Sequence, residues 1–220
     1  MRFRAILFDF DGVLIESEAI GNRQIADYLT GIGHPTTPEE SMANFMGLSG
    51  ADFLRRIEQW IGRPIPDDFH EARKAEDARV MAEGIEAVAG AVALVQSLPE
   101  SLPRAIRPSS STHRIRRHLE HIGLGPAFGD HIYSGREHVT RGKPAPDLYL
   151  YAAHQLGISI GDAAIIEDSP VGATGAVASG GHVIGLCAGS HCAPDHDRKL
   201  RALGVHVIAH DFGDVARLLG

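Results

Sequence analysis

The sequence predicts a doubly wound, parallel α/β fold with an all-helical domain inserted after the first strand. Three observations predict it: short apolar runs alternate with helical patterns, one long region is helical throughout, and 220 residues exceed one ordinary domain. Strand–helix alternation implies right-handed crossovers, which place consecutive strands in one parallel sheet. We therefore expect a core domain formed by residues 1–17 and 87–220, and a helical domain formed by residues 18–86.

Six apolar runs have the length of a buried β-strand and are bounded by turn residues. They are 3–8, 104–107, 131–133, 163–166, 182–186 and 205–209. The helical patterns that alternate with them are 112–122, 147–156, 171–178 and 197–203. In a Rossmann-like sheet of this kind, ligands bind at the edge where the strands end. Residues that directly follow the strands are therefore the first candidates for a functional site.

The region between the first two runs shows helical patterns and no run typical of a buried strand. Helices are predicted at 19–29, 51–60 and 67–82, with a turn over 31–38. We expect four helices in a small bundle. Because this insert begins where the first strand ends, we expect it to act as a lid over the ligand crevice.

Composition and charge exclude several classes of protein. Hydrophobic residues make up 44% of the chain and charged residues 22%, so neither disorder nor a fibrous architecture is indicated. The formal net charge of −7 repels polyanions, so nucleic acid is not expected as a partner. The apolar stretch before Asp9 is too short for a signal or membrane segment, which predicts a cytoplasmic protein without a membrane partner. We expect a monomer or a weak homodimer.

The two cysteines, Cys187 and Cys192, are too few for a disulfide framework and favour a reducing compartment. Together with His191 they form a potential metal cluster, but no second ligand pair at zinc spacing appears in the sequence. We therefore predict an ordinary loop at the end of a strand here. The 13 histidines are scattered along the chain, and none is assigned a catalytic role.

Two acidic pairs follow apolar runs. Asp9 and Asp11 stand two residues apart at the end of the first run, with Gly12 where the chain must turn sharply. Two carboxylates on one face are unfavourable unless a cation lies between them. A turn that uses aspartates to satisfy backbone donors would explain an Asp-Gly pair as well. However, Glu167 and Asp168 repeat the arrangement after the fourth run, and carboxylates on neighbouring strands predict a Mg²⁺ site.

Lys143 precedes a Pro-Ala-Pro segment that forms a rigid entry into the helix predicted at 147–156. A lysine on such a stiff loop can reach inward. Its ammonium would then neutralise Asp9 and a bound phosphoryl group, and electrostatic stabilisation of this kind dominates phosphoryl transfer. The alternative is a solvated surface lysine, as lysines usually are, but the rigid setting favours the functional interpretation.

A Ser-Ser-Ser-Thr segment at 109–112 follows the second run and leads into a helix. Hydroxyls and helix N-terminal amides converge there at a point that suits an anion. Ser109 and Ser110 are therefore candidates for binding a phosphate, together with the loop at Gly12. An ordinary helix N-cap explains any one of these four hydroxyls equally well.

The order and separation of these motifs resemble those of the haloacid dehalogenase-like hydrolase superfamily. The motifs that carry the resemblance are residues 9–18, 142–147 and 166–172, and the resemblance covers nearly the whole chain. Within the superfamily, the chain most resembles the phosphatase and phosphomutase branch, whose members have a helical cap. That branch includes phosphoglycolate phosphatases and β-phosphoglucomutases. The resemblance implies a Mg²⁺-dependent hydrolase that acts on a small phosphorylated metabolite, namely a phosphorylated sugar, polyol or hydroxy acid.

The resemblance also implies roles for individual residues. Asp9 would attack phosphorus to form an aspartyl-phosphate, and Asp11 would act first as general acid and then as general base. Mg²⁺ would be bound by Asp9, the backbone carbonyl of Asp11 and Asp168, with Glu167 close to its ligand shell. Lys143 would hold the phosphoryl oxygens and the nucleophile.

One position departs from the family pattern. Family members usually have a serine or threonine directly at the end of the second strand, and counting without gaps puts Pro108 there, one residue before Ser109. Proline has no amide hydrogen and restricts the preceding residue to extended geometry. We expect Ser109 to replace the missing hydroxyl only if the loop shifts by one residue, and weak phosphate binding if it does not.

Alternative functions within and outside the family remain at this point. The nearest alternative is a sugar phosphomutase. Such mutases carry a histidine after the first motif and an arginine in the cap, and the corresponding positions here are Gly21 and Gly50, which favours hydrolysis. A dehalogenase would need neither a metal nor Asp11. A receiver-type phospho-acceptor module would lack the helical insert. The proline at position 108 also leaves open a silent, phosphate-binding homologue.

Overall fold

The computed structural model describes residues 2–46, 48 and 50–220. Its chain divides into two compact units. One unit consists of residues 1–16 and 85–220, and the other consists of residues 17–84. Within the described residues, all strands belong to the first unit and the second unit is built of helices.

The first unit contains one sheet of five parallel strands in the order β2-β1-β3-β4-β5. The strands are β1 Ala5–Phe8, β2 Arg104–Ile106, β3 Ala163–Glu167, β4 His182–Leu186 and β5 Val207–Ala209. Apart from His182 and Val207, every strand residue is buried, as expected for a parallel sheet covered on both faces by helices. The predicted doubly wound α/β fold is confirmed.

Besides a short 3-10 helix at Ile160–Asp162, the described chain contains eleven α-helices. They are α1 Ser17–Gly31, α2 Pro38–Phe45, α3 Gly50–Ile61, α4 Phe69–Glu83, α5 Ala91–Ser97, α6 Thr112–His121, α7 Gly125–Phe128, α8 Asp147–Gln155, α9 Pro170–Ser179, α10 His196–Ala202 and α11 Phe212–Leu219. The helices predicted from the alternation correspond to α6, α8, α9 and α10 within a residue or two. Three further helices, α5, α7 and α11, were not predicted.

The strand predicted at 131–133, the third apolar run, is wrong. Ile132 forms only an isolated parallel bridge with Ile106, the last residue of β2. The Ile106 amide donates to the His131 carbonyl and the Tyr133 amide donates to the Ile106 carbonyl, both at 2.9 Å. Pairing stops there because the chain leaves β2 at Arg107 and no further strand residues remain to continue the ladder.

The core of the first unit forms between the sheet and helices α8 and α9. Leu7, Ile165 and Val183 come from three neighbouring strands and pack against Tyr149 of α8 and Ala176 of α9, all of them buried. This packing holds the carboxyl ends of β1 and β3 side by side, with Phe8 in register with Ile166.

The second unit has its own core. Ile25, Leu29, Phe45, Ile57 and Phe69 form a buried cluster drawn from all four helices α1 to α4. These helices agree with the four expected, and the predicted turn lies between the end of α1 and the start of α2. No helix of the described residues is long and apolar enough to cross a membrane.

Candidate active site

The candidate site lies where β1 and β3 end. Asp9 directly follows β1, Glu167 is the last residue of β3, and Asp168 follows it. The Asp9 amide donates to the Ile166 carbonyl at 2.9 Å, so the two strand ends are joined by a backbone hydrogen bond. Each of the three acidic residues is buried and offers an oxygen that lies within 4.8 Å of an oxygen from the other two.

Lys143 reaches this cluster from the loop before α8. Its Nζ lies 2.6 Å from Asp9 Oδ1 and 3.0 Å from Glu167 Oε2, and only 5% of its side chain is exposed. Burial alone would lower the pKa of Lys143, but the charges of Asp9 and Glu167 raise it above its ordinary value. The lysine is therefore a buried cation at neutral pH.

The loop that carries Lys143 is held by its own polar contacts. Arg141 binds the carboxylate of Asp147, the first residue of α8, with both Nε and Nη2 at 2.9 Å. The Ala145 amide donates to the Gly142 carbonyl at 2.9 Å, and the Lys143–Pro144 peptide bond is cis. These hydrogen bonds hold the loop that carries Lys143 against the start of α8.

Glu167 is fully buried, and protein groups surround both of its oxygens. Oε1 accepts from Ser169 Oγ at 2.9 Å, while Oε2 accepts from Lys143 Nζ at 3.0 Å and from Tyr149 Oη at 3.3 Å. Arg107 Nη1 lies 3.7 Å from Oε2. Burial, followed by the charge of Asp9, raises the pKa of Glu167 to about 8, although Lys143 and Arg107 lower it. Glu167 thus anchors Lys143, and its oxygens are already engaged.

Glycine is required beside this carboxylate. A Cβ on Gly172, in the first turn of α9, would lie 1.8 Å from Glu167 Oε1. The helix start that brings this backbone close is capped by Ser169, whose side chain accepts from the Gly172 amide at 3.0 Å. Pro170 occupies the first turn, where its missing amide hydrogen costs nothing.

Asp168 differs from Glu167 in having one oxygen without a protein partner. Its Oδ2 lies 2.8 Å from His191 Nε2, whereas Oδ1 is buried and makes no hydrogen bond to any described residue. Buried carboxylate oxygens are normally satisfied, so this oxygen is suited to bind a cation. Burial and the charge of Asp9 raise the pKa of Asp168, while the hydrogen bond with His191 lowers it.

Gly12, predicted to contact substrate, closely approaches Asp168. Its φ of 74° is in the left-handed region, and a Cβ there would lie 2.1 Å from Asp168 Oδ2. Glycine is therefore needed for the turn that follows Asp11, and the structure gives this residue a steric reason independent of substrate.

The predicted phosphate-binding hydroxyls have different surroundings. Ser110 Oγ lies 3.5 Å from Asp11 Oδ2, so Ser110 is beside the predicted general acid. Ser109 is exposed. Ser111 is the N-cap of α6 and accepts from the Arg114 amide at 3.5 Å, which is the ordinary capping role weighed above. Pro108 is buried and its carbonyl accepts from the Gly135 amide at 2.9 Å.

Sequence reasoning missed three residues of this site: Arg107, Tyr149 and His191. The Arg107 guanidinium is fully buried, lies 4.2 Å from the Tyr149 ring centroid and donates to the Leu7 carbonyl at 3.0 Å. An arginine at the end of an apolar run was a signal that could have identified it, since a charge in a buried strand end needs partners. Tyr149 lies on an apolar helix face and gave no comparable signal.

The fold and the cluster define an enzyme with a carboxylate–lysine centre at the carboxyl edge of a Rossmann-like sheet. Residues 3–180 match the haloacid dehalogenase-like hydrolase family. The chain therefore belongs to this family, and the predicted membership and enzyme class are confirmed.

Individual relatives agree with this assignment. The chain is 34% identical over 190 residues to hexitol phosphatase A of Escherichia coli strain K12, covering 86% of this chain and 85% of that protein. It is 26% identical to 6-phosphogluconate phosphatase of the same organism, covering 88% and 86%. A solved HAD family hydrolase from Deinococcus radiodurans R1, with bound phosphate and sodium, has a TM-score of 0.87 and 32% identity, covering 99% of this chain and 95% of that chain.

Proposed function

We propose that this protein is a Mg²⁺-dependent phosphatase that hydrolyses a small phosphate monoester of a sugar, polyol or hydroxy acid. The observation that carries the proposal is the buried contact of Lys143 Nζ with Asp9 Oδ1 at 2.6 Å, beside Asp168 Oδ1, which has no hydrogen-bond partner among the described residues. A carboxylate nucleophile, a fixed cation and a site for a second cation are what phosphoryl transfer requires. The phosphatase names of the relatives support the same reaction class.

The first half of the reaction would form an aspartyl-phosphate. Because Lys143 is hydrogen-bonded to Asp9 Oδ1, we assign the attack on phosphorus to Oδ2. As the new bond between Oδ2 and phosphorus forms, the bond from phosphorus to the ester oxygen breaks. Asp11 gives its proton to that departing oxygen, and the alcohol leaves.

The second half would release the phosphate. Asp11, now a carboxylate, takes a proton from water, and the resulting hydroxide attacks phosphorus to free Asp9 and inorganic phosphate. Ser110, whose Oγ lies 3.5 Å from Asp11 Oδ2, is placed to hold either Asp11 or a phosphoryl oxygen. Lys143 keeps its proton throughout, since Asp9 and Glu167 raise its pKa.

The residues present fit a Mg²⁺ ion. Asp9 and Asp168, with the backbone carbonyl of Asp11, would provide hard oxygen ligands, and Asp168 Oδ1 is the buried oxygen that lacks a partner in the described chain. Bound there, Mg²⁺ would supply positive charge that lets an anionic ester approach the carboxylates. Glu167, predicted near this shell, is instead proposed to position Lys143 because its own oxygens are engaged.

Removing the cation tests the proposal directly. We expect a panel of sugar, polyol and hydroxy-acid phosphates, with an aryl phosphate as reference, to include esters that are hydrolysed in Mg²⁺. Excess chelator should reduce the rate at least about 100-fold, and added Mg²⁺ should restore it. Thermal unfolding in chelator serves as the control for loss of fold. Activity that is unchanged by chelator, or no hydrolysis of any ester in the panel, would refute the proposal.

A second prediction concerns the proline at the end of β2. Replacing Pro108 by Ser adds an amide hydrogen and a hydroxyl, and one further hydrogen bond to a charged phosphate is worth about tenfold. We expect kcat/KM for the best ester to rise about tenfold, mainly through KM. Pro64→Ser, at an exposed position of the helical unit, is the matched control and should change neither constant. An unchanged KM in Pro108→Ser would show that position 108 does not limit phosphate binding.

Hydrolysis is proposed in preference to sugar phosphate transfer. Gly21 lies in α1 and Gly50 begins α3, so neither position offers a side chain that could help a bisphosphate intermediate turn around. The same panel, run with and without an added sugar bisphosphate, separates the two reactions because only a mutase is activated by it.

A further inference from the structure

The segment between β4 and α10 brings together three side chains that the proposed phosphatase reaction does not use as reacting groups. His191, Cys192 and His196 each offer one ligand atom, and these atoms lie within 4.8 Å of one another. The sequence alone predicts an ordinary loop here, and the potential metal cluster it offers consists of Cys187, His191 and Cys192. In the structure, Cys187 is not part of this group.

The distance between the His191 and Cys192 donor atoms fits a tetrahedral metal site. His191 Nε2 lies 3.6 Å from Cys192 Sγ. For a zinc ion with bonds of about 2.05 Å to nitrogen and about 2.3 Å to sulfur, tetrahedral geometry separates the two ligand atoms by about 3.6 Å. The two side chains thus stand where they would stand around the ion.

His196 is oriented as a ligand by a contact typical of metal sites. Its Nε2 lies 2.6 Å from the backbone carbonyl of Asp168 and donates to it. This contact fixes the tautomer and leaves Nδ1 as the nitrogen with a free lone pair, the usual outer-shell arrangement of a metal-binding histidine. A hydrogen bond also links His196 with Cys192.

Burial distinguishes this cluster from surface residues, since His191 is only 5% exposed and His196 only 3%. Cys192 is half-buried and is hydrogen-bonded to both histidines, whereas Cys187 lies outside the group.

We propose that His191, Cys192 and His196 bind a borderline-soft divalent cation of the Zn²⁺ type, with Asp168 Oδ2 as the fourth ligand. Asp168 Oδ2 lies 2.8 Å from His191 Nε2, a hydrogen-bond distance that would widen to about 3.4 Å when both atoms bind the cation. Nitrogen and sulfur donors select Zn²⁺ and exclude Mg²⁺, which prefers an all-oxygen shell. The cation would displace any proton held by His191 or Cys192.

Direct metal binding to the full chain tests the proposal, with Co²⁺ as the probe and Mg²⁺ kept in excess to occupy the all-oxygen site. The wild-type protein should take up one equivalent of Co²⁺ with a thiolate-to-cobalt charge-transfer absorption, and Zn²⁺ should displace it. Cys192→Ser should lose this absorption and bind Zn²⁺ at least about 100-fold more weakly. Cys187→Ser removes the other thiol and should behave as wild type.

The outcomes that overturn the proposal are equally specific. The proposal is wrong if the wild-type protein shows no thiolate-to-cobalt absorption with Co²⁺, if Cys192→Ser keeps this absorption, or if Cys187→Ser loses it. His196→Asn provides a second variant in case Cys192→Ser does not fold. It should retain the thiolate absorption but weaken Co²⁺ binding at least about tenfold, and unchanged affinity would contradict a role for His196.

Discussion

Replacing Asp9 by Asn is expected to reduce kcat for phosphate monoester hydrolysis by at least about 10³-fold, because an amide cannot attack phosphorus. The substitution nearly preserves side-chain volume. The remaining carbonyl oxygen can still accept from Lys143, whose Nζ lies 2.6 Å from Asp9 Oδ1, and Glu167 continues to compensate the lysine charge. The variant should therefore fold, and its loss of activity would report on chemistry.

Two measurements separate this interpretation from a general effect of charge. Acid-quenched wild type incubated with substrate should carry a phosphoryl mass increment on the peptide that contains Asp9, and Asp9→Asn should not. Asp162→Asn is the matched control, since Asp162 is an aspartate of the same unit paired at 3.6 Å with the exposed Arg4. We expect its kcat to be near wild type. Full turnover in Asp9→Asn would remove the basis of the proposed mechanism.

The fold could be predicted because the spacing of apolar residues along the sequence reflects which residues are buried. The strands of this sheet are short apolar runs that pair only with neighbours of the same kind, so alternation with helices was enough to define a parallel sheet. The false strand at 131–133 shows where this argument fails: an apolar triplet beside the sheet edge looks like a strand, but only Ile132 pairs with Ile106. The pattern of apolar residues in the sequence does not show how many residues can pair with the edge strand of the sheet.

The site was predictable in part for a related reason. Asp9, Glu167 and Asp168 follow strands, and the carboxyl ends of neighbouring parallel strands meet at one edge. Arg107 and His191 contact this cluster through positions far away along the chain, from the end of β2 and from the loop after β4. No spacing in the sequence records such contacts, because they depend on the strand order and on the path of each loop. The partnerless oxygen of Asp168 could be seen only in three dimensions.

Replacing Lys143 by Met should destabilise the protein strongly and in a pH-dependent way. The substitution leaves Asp9 and Glu167 buried without the cation that lies 2.6 and 3.0 Å from their oxygens. Removing one partner of a buried ion pair typically costs about 3–5 kcal/mol. Because Lys143 lowers the pKa of Glu167, its loss raises that pKa further above the value of about 8 in the wild type.

The sign of the pH dependence follows from this shift. Between the ordinary pKa of a glutamate and its raised folded value, the folded state binds more protons than the unfolded state, so stability falls as pH rises. Wild type and Lys143→Met lose this stability in parallel up to about pH 8, where wild-type Glu167 ionises beside its lysine, and above that pH only the variant continues to lose it. The deficit of the variant should therefore be larger at about pH 9.5 than at about pH 6. Urea unfolding of variant and wild type at both pH values measures the difference.

Lys199→Met is the matched control for this experiment. Lys199 is 54% exposed and pairs with Asp195 at 3.3 Å across one turn of α10, an arrangement worth well under about 1 kcal/mol. Its loss should change the free energy of unfolding little and equally at both pH values. If Lys143→Met were as stable as Lys199→Met at about pH 9.5, Lys143 would not be compensating the two buried carboxylates. The electrostatic reason for placing it at the centre of the site would then be lost.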